Sequence, residues 1–557
     1  MAAADAAGLG VPQFDLSGPL PAGVTVLEAS AGTGKTYTIA ALASRFIAEG
    51  AARLDELLLV TFTRVATSEL RERVRERLVA TEAELGRLVN GAPASQADPV
   101  VALLAAAPIE QVRARRERLA EALANFDAIT IETTHGFCQS VLDGLGTLAE
   151  SDPRVTFADD LDELLREVVD DLYIRRFHGH HDGPAISRTE AWQVARAAIA
   201  SPLAVLHPLT PPDASLAAIR RRLALAVRAE LEARKRALAL MTYDDQLTRL
   251  LATLTGARGA QAVASLRDRF RVVLIDEFQD TDPIQWAIVD RAFGGGQTVL
   301  VLIGDPKQAI YAFRGADVYA YLEAARTAGK RATLAVNRRS DQPLLDGLDA
   351  LFGRARLGHP DIVYRSVRAP AANLSSRLHG APDGKALRIR LLDGSDPSLT
   401  RTKTGFPNAE SARNQIAADL AADVVAMLES GAALERRDGE GSTVALEPLG
   451  PGDLAVLVRT HRQARLIQAA VEQAGVPAVI GGSGSVFATP AAADWLAVLA
   501  AVEQPAHPAR ARAAALTSLL GFDAAALAQA QEPQLEALHQ RLHAWARMLR
   551  EHGFPAL

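Results

Sequence analysis

The sequence predicts an α/β protein whose core is a parallel β-sheet covered by helices. Short, largely apolar runs recur at residues 24–27, 57–61, 272–275 and 299–303, and residues 128–133 are a further strand candidate. Runs of this kind are typical of strands that are buried on both faces of a sheet. Stretches of helical periodicity separate these runs, and strands that alternate with helices favour a parallel sheet.

The first strand leads directly into a glycine-rich loop and then a helix. The loop consists of Ala29, Ser30, Ala31, Gly32, Thr33, Gly34, Lys35 and Thr36. Its pattern is that of a phosphate-binding loop, with Ala29 in place of the first glycine. Gly32 and Gly34 let backbone N–H groups face a polyphosphate, and the dipole of the following helix favours an anion there. We expect Lys35 to contact the outer phosphates of a nucleotide and Thr36 to bind Mg²⁺.

Two adjacent carboxylates, Asp276 and Glu277, follow the apolar run at 272–275. Adjacent acids more often cap a helix or face solvent. Here the two acids follow a strand in a chain that also has the pattern of a phosphate-binding loop. This position favours a functional pair, in which Asp276 binds Mg²⁺ and Glu277 orients or deprotonates a water molecule. Because Lys35 and Asp276 are far apart in sequence, the region between them must include an insertion into one nucleotide-binding core.

Composition sets broad limits on the class of protein. Hydrophobic residues make up 49% and charged residues 23% of the 557 residues, as in ordinary soluble globular proteins. The net charge of −6 excludes a generally basic protein, so any nucleic-acid site must be a local patch or groove. Cys138 is the single cysteine, and neither a secretory signal nor a long apolar run is found, so we expect a cytoplasmic location.

Several segments resemble the motifs of superfamily 1 helicases and occur in the same order along the chain. They are residues 29–36 (motif I), 60–66 (Ia), 133–138 (Ib), 243–245 (a Tyr-Asp-Asp signature), 276–281 (II), 304–317 (III) and 337–340 (IV). The residue sequences of motifs I, II and III (A-S-A-G-T-G-K-T, D-E-F-Q-D-T-D-P and G-D-P-K-Q-A-I-Y) resemble those of RecB-type helicases. This is the type that forms the beta subunit of exodeoxyribonuclease V. UvrD-type and AddA-type helicases are the nearest alternatives.

The resemblance implies a RecA-like core with a helical insertion, followed by part of a second RecA-like domain. The expected boundaries are 1–150 and 251–335 for the two parts of the first core domain, 151–250 for the insertion, 336–490 for the partial second domain, and 491–557 for the start of a second helical insertion. Within the second domain, strands are predicted at 453–458 and 476–480, with a helix between them.

The resemblance also implies roles in phosphoryl transfer. Glu277, Gln308 and Arg339 would be the catalytic residues, while Thr36 and Asp276 would bind the metal. Gln308 would sense the γ-phosphate and couple it to the DNA side. Arg339 would be an arginine finger that neutralises charge on the transferring group, although a surface arginine is the simpler interpretation of that residue alone.

A second set of residues is implied in DNA binding. These residues are Phe62, Thr63, Arg64, His135, Phe313 and Arg314. Phe62 and Phe313 would stack on the bases of single-stranded DNA, with plain core packing as the alternative. The polar residues would contact the backbone or bases, and ordinary capping or hydrogen bonding is the alternative for them.

The implied function is an ATP- and Mg²⁺-dependent 3′-to-5′ DNA helicase or translocase motor in double-strand-break repair and recombination. It would act on single-stranded DNA and duplex ends, with RecC-like and RecD-like, or AddB-like, partner subunits. The alternatives are a fragment that binds ATP and single-stranded DNA without helicase activity, a UvrD-type or AddA-type helicase, and a P-loop kinase or transporter ATPase. Motif III and the two phenylalanines disfavour the last of these.

The sequence departs from the family pattern in three ways. No segment that resembles motifs V and VI, and none that resembles the nuclease domain, is found up to Leu557. We therefore expect the sequence to correspond to the N-terminal part of a longer protein, with little turnover and no duplex unwinding on its own. An adenine-reading glutamine motif is also not evident, and Gln13 is only a weak candidate.

Overall fold

The computed structural model describes residues 11–92, 98–145, 156–158, 160–179, 183–200, 204–213, 215–312, 315–437, 443–482 and 485–554. The chain divides into two compact units. The first consists of Met1–His379, Asp383–Ile389 and Leu434–Glu447, and the second of Gly380–Pro382, Arg390–Ala433 and Pro448–Leu557.

The strands are, in chain order, β1 (Val24–Ala29), β2 (Leu57–Thr61), β3 (Thr130–Thr133), β4 (Thr156–Phe157), β5 (Leu240–Met241), β6 (Val272–Ile275), β7 (Val299–Gly304), β8 (Lys330–Leu334), β9 (Leu378–His379), β10 (Ala433–Arg437) and β11 (Thr443–Pro448). Six of them form a sheet in the order β3-β2-β6-β7-β1-β8, and all its pairs are parallel. The predicted parallel sheet is therefore confirmed.

The helices are α1 (Lys35–Ala48), α2 (Arg64–Val89), α3 (Pro99–Ala105), α4 (Ile109–Ala124), α5 (Thr134–Leu145), α6 (Asp162–Phe177), α7 (Arg188–Ala200), α8 (Leu216–Ala237), α9 (Tyr243–Thr255), α10 (Gly259–Arg269), α11 (Pro283–Phe293), α12 (Val318–Thr327), α13 (Gln342–Phe352), α14 (Ala409–Glu429), α15 (His461–Gln473), α16 (Pro490–Glu503), α17 (Pro508–Ala515), α18 (Ala524–Gln529) and α19 (Glu532–His552).

Both faces of the main sheet are covered by helices. Successive residues of a strand point to opposite faces, so Val26 of β1 packs with α5 and α9–α12 while Leu27 packs with α1–α4. The same alternation places Val273 on the first face and Leu274 on the second. Because neither face meets water, every position of these strands favours an apolar residue, which explains their continuous apolar runs.

A helical insertion interrupts the sheet between β3 and β6. Helices α6, α7 and α8 pack around their own small core, which includes Val168, Ala191 and Val227. The short strands β4 and β5, which pair in parallel, carry the chain into and out of these helices. Helix α9 then packs on the main sheet core through Leu247 and Leu250. The predicted domain boundaries remain a prediction.

The second unit contains helices α14 and α15, and also α16, α17 and α19, which share a small apolar core. Here one expectation is wrong, because residues 453–458 and 476–480 do not form strands. Leu457 and Val479 are both 95% exposed. A strand is stabilised by a neighbouring strand, and these two runs have no ladder partner within the described part of the chain. Among the described helices, none has the length and apolar character needed to span a bilayer.

The Asp98 carboxylate connects three helices that cover the same face of the sheet as Leu27, namely α1, α2 and α3. Asp98 caps α3 by accepting the N–H groups of Val100 and Val101, at 2.8 and 3.1 Å. The same carboxylate forms a two-pronged ion pair with Arg77 of α2, in which Nη2 lies 2.7 Å from Oδ1, and it accepts the hydroxyl of Tyr37 of α1. Burial alone would raise the pKa of Asp98, but Arg77 and the two backbone donors outweigh it and lower this pKa to about 2.

We predict that Asp98→Asn destabilises the fold in a pH-dependent manner. Because the folded pKa is about 2 against 3.8 when unfolded, the ionised carboxylate contributes about 2 kcal/mol at pH 7. This contribution is complete above the unfolded pKa and is lost as the pH falls through the folded pKa, so it should be about half as large at pH 3. Urea unfolding of both proteins at pH 7 and pH 3 measures the difference. Asp170→Asn, which removes a surface ion pair with Arg188, is the control. An Asp98→Asn difference that does not change with pH would contradict the prediction.

Candidate functional site

The predicted site residues come from loops that follow different strands of one parallel sheet. The loops after β1, β2, β3, β6, β7 and β8 all leave from the carboxyl ends of their strands. In a parallel sheet these ends lie on one edge, where α/β proteins bind their ligands. Segments that are hundreds of residues apart in sequence therefore meet at a single edge.

The loop after β1 has the backbone shape of an anion cradle. Gly32 and Gly34 lie in the left-handed region, with φ of 77° and 86°, and Thr33 closes the turn by donating its N–H and its hydroxyl to the carbonyl of Ser30. Helix α1 begins at Lys35 with no side-chain cap. Its first N–H groups are therefore available to an anion, which fits the phosphates of a nucleotide.

The segment after β8 clamps this loop. Asn337 is buried, and its Nδ2 donates to the carbonyl of Ala31 at 2.9 Å while the N–H of Arg338 donates to the carbonyl of Gly32 at 2.7 Å. The Asn337 Oδ1 accepts the N–H groups of Arg339 and Ser340, both at 2.9 Å. Asn337 thus engages the carbonyl of Ala31 and holds Arg339 beside the loop. Sequence reasoning singled out only Arg339.

The loop after β6 places Asp276 and Glu277 beside Lys35. The Lys35 Nζ is 2.6 Å from Oε2 of Glu277, and the Asp276 Oδ1 accepts the N–H of Glu277 at 2.9 Å. Burial, and then the negative charge of Glu277, raise the pKa of Asp276 to about 6, although Lys35 opposes the shift. Three residues from two distant motifs therefore form one charged group.

Glu277 also has an unusual backbone. Its φ of 49° and ψ of 41° lie in the left-handed region, which is uncommon for a residue with a side chain. Such a conformation costs on the order of 1–3 kcal/mol and occurs preferentially at functional sites. The strain is therefore consistent with the catalytic role expected of this residue.

A hydrogen-bonded chain connects Glu277 to the loop after β7. The buried amide of Gln279 donates from Nε2 to Oε2 of Glu277 at 2.8 Å, and its Oε1 accepts the N–H of Asp305 at 2.9 Å. A Cβ on Gly304 would lie 2.7 Å from this Oε1, so residue 304 has no room for a side chain. The Asp305 Oδ2 in turn accepts Nε2 of Gln308 at 2.8 Å. Gln279 and Asp305 were missed by sequence reasoning, although both lie inside recognised motifs.

Aromatic residues lie at the same edge, above β2 and β3. The ring of Phe62 is half-buried and lies 4.9 Å from the ring of Tyr311, measured between centroids. The His135 ring meets Tyr243 edge-on at 5.7 Å, and Tyr243 is stacked on Phe157 at 6.0 Å. Because Thr61 and Thr133 are register partners at the ends of β2 and β3, the residues that follow them are neighbours. Tyr311, Tyr243 and Phe157 are thus additional ring residues that the sequence analysis did not select.

The remaining predicted DNA contacts lie in different settings. Thr63 caps α2 by accepting the N–H of Ala66, and Arg64, the first residue of that helix, is exposed. Burial lowers the pKa of His135 against the opposing charges of Asp244 and Asp282, which favours a neutral ring at pH 7. The predicted contacts Phe313 and Arg314 lie outside the described residues.

The ring of Tyr37 and two arginine guanidinium groups adjoin the glycine-rich loop. The guanidinium of Arg338 lies 5.6 Å from the centre of the Tyr37 ring, and the guanidinium of Arg77 lies 5.2 Å from the same ring. Tyr37 follows Lys35 and Thr36 directly, on the first turn of α1. Gln13, the weak candidate for an adenine contact, has an exposed side chain and pairs with Thr333 at the β8 edge of the sheet.

We predict that Gly32→Ala abolishes nucleotide binding by the loop. A Cβ at this position would lie 2.6 Å from Oδ1 of Asn337 and 2.8 Å from Cβ of Arg339, and the residue has φ of 77°. Fluorescence titration with a labelled nucleotide measures the loss. Gly296→Ala is a matched control, because Gly296 has φ of 78° but no atom within 4 Å of its added Cβ. Equal nucleotide affinity of the Gly32→Ala variant and the parent would contradict the clamp.

The sequence is similar to a helicase family model over more than half of its length and to subunits of the RecBCD enzyme over most of it. The family model of the UvrD/REP helicase N-terminal domain matches residues 16–329. RecBCD enzyme subunit RecB of Mycolicibacterium smegmatis is 45% identical over 546 residues, and the match covers 98% of this chain and 48% of the relative. The subunit of the same name from Mycobacterium tuberculosis is 43% identical over 547 residues, with the same coverage, and that from Escherichia coli is 27% identical over 653 residues, covering 94% and 53%. The chain spans about half the length of the curated relatives it matches. It belongs to the UvrD/REP helicase family and is of the RecB type.

Proposed function

We propose that this chain is the motor portion of a RecB-type DNA helicase that uses ATP and Mg²⁺ to move 3′ to 5′ along single-stranded DNA. The observation that carries the proposal is the convergence of two sets of groups at one sheet edge. The phosphate-binding loop and the Asp276–Glu277 pair lie on one part of that edge, and the ring pair Phe62–Tyr311 lies on another. Hydrogen bonds lead from Glu277 through Gln279 to Asp305, and the loop that holds Asp305 continues to Tyr311.

The residues of this edge suit phosphoryl transfer. Mg²⁺ would be held by Thr36 and Asp276, where it would neutralise charge on the phosphates. Lys35 would exchange its partner Glu277 for the outer phosphates. Gln279 then remains as a donor that orients the Glu277 carboxylate toward a water molecule.

The ring of Tyr37 and the guanidinium of Arg338 would receive the planar base of the nucleotide. Both groups adjoin the phosphate-binding loop, and a ring together with a delocalised cation provides two stacking faces. Arg339, held by Asn337 beside Gly32, would add positive charge close to the γ-phosphate.

Aromatic side chains provide the main proposed contacts with DNA. Phe62 with Tyr311, and Tyr243 with Phe157, form two pairs of partly exposed aromatic side chains. Phe62 follows β2, and Tyr243 contacts the ring of His135, which follows the adjacent strand β3. Stacking on such rings tolerates any base sequence, as a translocating motor requires. Thr63, Arg64 and His135 would contact the sugar-phosphate backbone beside them. Base stacking by Phe313, and a contact of Arg314 with the DNA backbone or bases, are proposed on the strength of the family resemblance alone.

The biological setting follows from the family. The relatives are named as subunits of the RecBCD enzyme. We therefore propose that this chain acts at DNA ends in double-strand-break repair and recombination, in the cytoplasm, with RecC-like and RecD-like, or AddB-like, subunits. The proposed domain division is the one expected from the sequence, with core segments 1–150 and 251–335 around a helical insertion.

Two substitutions separate nucleotide binding from hydrolysis. Lys35→Ala should lower ATP affinity about tenfold to 100-fold, because a charge-assisted contact with the phosphates is lost. Glu277→Gln should bind ATP at least as tightly as the parent and hydrolyse it more slowly in a single turnover, because the base is lost and Asp276 remains. Lys330→Ala, at an exposed position of β8, is the control for lost charge. Parent-like ATP affinity in Lys35→Ala would exclude this loop as the nucleotide site.

The DNA contacts can be tested through Tyr311. Tyr311→Ala should weaken binding of single-stranded oligonucleotides by about 1–3 kcal/mol regardless of base sequence, while Tyr311→Phe should retain binding because the ring remains. Arg64→Ala should instead reduce the salt dependence of binding, since a phosphate contact releases counterions. Fluorescence anisotropy at several salt concentrations measures both effects. Unchanged affinity in Tyr311→Ala would assign this ring to packing with Phe62.

A further inference from the structure

Lys235 is a buried cation that none of the steps above uses. It lies in the last turn of α8, in the helical insertion, and its side chain is 7% exposed. An unpaired charge at such a depth is strongly unfavourable. Its Nζ lies 2.6 Å from Oδ1 of Asp245 in α9 and also contacts the carboxylate of Glu232, one turn earlier in α8. Burial would lower the pKa of Lys235, but the hydrogen bonds to Asp245 and Glu232 outweigh it and raise this pKa, so the amine stays charged.

Asp245 in turn fixes the first turn of α9. Its Oδ2 accepts the N–H of Thr242 at 2.8 Å, and its own N–H donates to Oγ1 of Thr242 at 3.3 Å, which together form a capping box. The two carboxylate oxygens therefore have separate tasks, because Oδ1 contacts the helical insertion and Oδ2 holds the start of the helix. Tyr243 directly follows Thr242 and is the first residue of this helix, so the same capping box fixes its backbone.

The same junction carries the ring on which Tyr243 stacks. Strand β5, which follows α8, pairs in parallel with β4, and Phe157 of β4 is the register partner of Met241. The N–H of Ala158 donates to the carbonyl of Met241 at 3.0 Å. The rings of Tyr243 and Phe157 are stacked, and both residues are 40% exposed. The place where the insertion joins the core thus presents a pair of rings to the surroundings.

We propose that Lys235 is a positioning residue that holds the Tyr243 ring in the orientation in which it stacks on a base of single-stranded DNA. Helix α8 packs in the core of the insertion through Leu231, whereas α9 packs on the core of the main sheet through Leu247. The Lys235–Asp245 pair joins the end of one helix to the start of the other. A buried ion pair contributes little to stability compared with apolar side chains of similar volume, so the effect of this pair lies in geometry. The inference rests on the proposed DNA-binding function.

A double-mutant cycle with Tyr243 tests the proposal, with the affinity of the 557-residue chain for a fluorescein-labelled oligothymidylate measured by anisotropy. Tyr243→Ala should weaken binding about fivefold to 100-fold, because one stacked ring is lost. The loss caused by Lys235→Met should be larger in the parent than in the Tyr243→Ala background by more than about twofold, because residues that act through one another are not additive. Losses that agree within about twofold in the two backgrounds would overturn the positioning role, since a purely structural effect of Lys235 does not depend on this ring.

Arg234→Met is the matched control. Arg234 is the neighbour of Lys235 in α8, but it pairs with Asp171 of α6 at 2.5 Å and with Glu230 of α8 at 3.0 Å, both within the insertion. Its substitution removes the same positive charge and should leave the affinity for the oligonucleotide within about twofold of the parent. An equal loss in Arg234→Met and Lys235→Met would assign the effect to net charge and would overturn the proposal.

A second variant covers the case in which Lys235→Met does not fold because Asp245 is left unpaired. The double variant K235M/D245N removes both charges, and the amide oxygen at residue 245 can still accept the N–H of Thr242. It should lose oligonucleotide affinity in the parent and not in the Tyr243→Ala background. Unfolding of both variants, monitored by circular dichroism, would show a purely structural role and would also overturn the proposal.

The behaviour of the parent and of two ring variants separates this inference from the proposed function. If the parent does not bind the oligonucleotide, the proposed DNA binding fails and the inference fails with it. If Tyr243→Ala binds like the parent, the role of Lys235 is overturned, and Tyr311→Ala then decides whether the proposed DNA surface stands. Losses in both ring variants, together with non-additivity of Lys235→Met and Tyr243→Ala, support the inference and the proposed function.

Discussion

Parallel pairing of six strands, buried on both faces, is the constraint on which the site depends. It forces the loops after β1, β2, β3, β6, β7 and β8 to one edge, so residues from distant motifs become neighbours. Burial on both faces also makes most positions of the central strands apolar. Nearly all of the chemistry is therefore left to a few polar residues at the carboxyl ends of the strands.

Those polar residues are connected rather than independent. Lys35 contacts Glu277, Glu277 contacts Gln279, and Gln279 contacts the backbone of Asp305. The loop that holds Asp305 continues to Tyr311, whose ring packs on Phe62. A displacement at the phosphates thus has a short path of hydrogen bonds and packed rings toward the side proposed to bind DNA. The hydrogen-bonded steps are 2.6 to 2.9 Å long and the ring pair lies 4.9 Å apart, while between Asp305 and Tyr311 the path follows the chain.

Local pattern was enough to predict the sheet, the glycine-rich loop before α1 and the position of Asp276 and Glu277 after a strand, because each is defined by residues that are adjacent in sequence. The roles of Gln279, Asp305 and Asn337 in the site were not predicted, since they depend on hydrogen bonds to partners far along the chain. Tyr311 was not predicted as a DNA contact because its ring partner, Phe62, lies in another motif. The runs at 453–458 and 476–480 were predicted as strands from apolar character alone, but a strand also needs a neighbour, which composition does not report.

The left-handed backbone of Glu277 lowers the stability of the fold at the position where a catalytic carboxylate is proposed. Glycine adopts φ near 49° at little cost, so a chain optimised only for a stable fold would favour glycine at residue 277. Retaining a carboxylate there sacrifices on the order of 1–3 kcal/mol of folding free energy. Efforts to make this protein more thermostable by relieving its strained positions would therefore tend to remove the group on which turnover is proposed to depend. Such efforts are better directed at Ala239 and Arg354, which have positive φ and lie outside the recognised motifs.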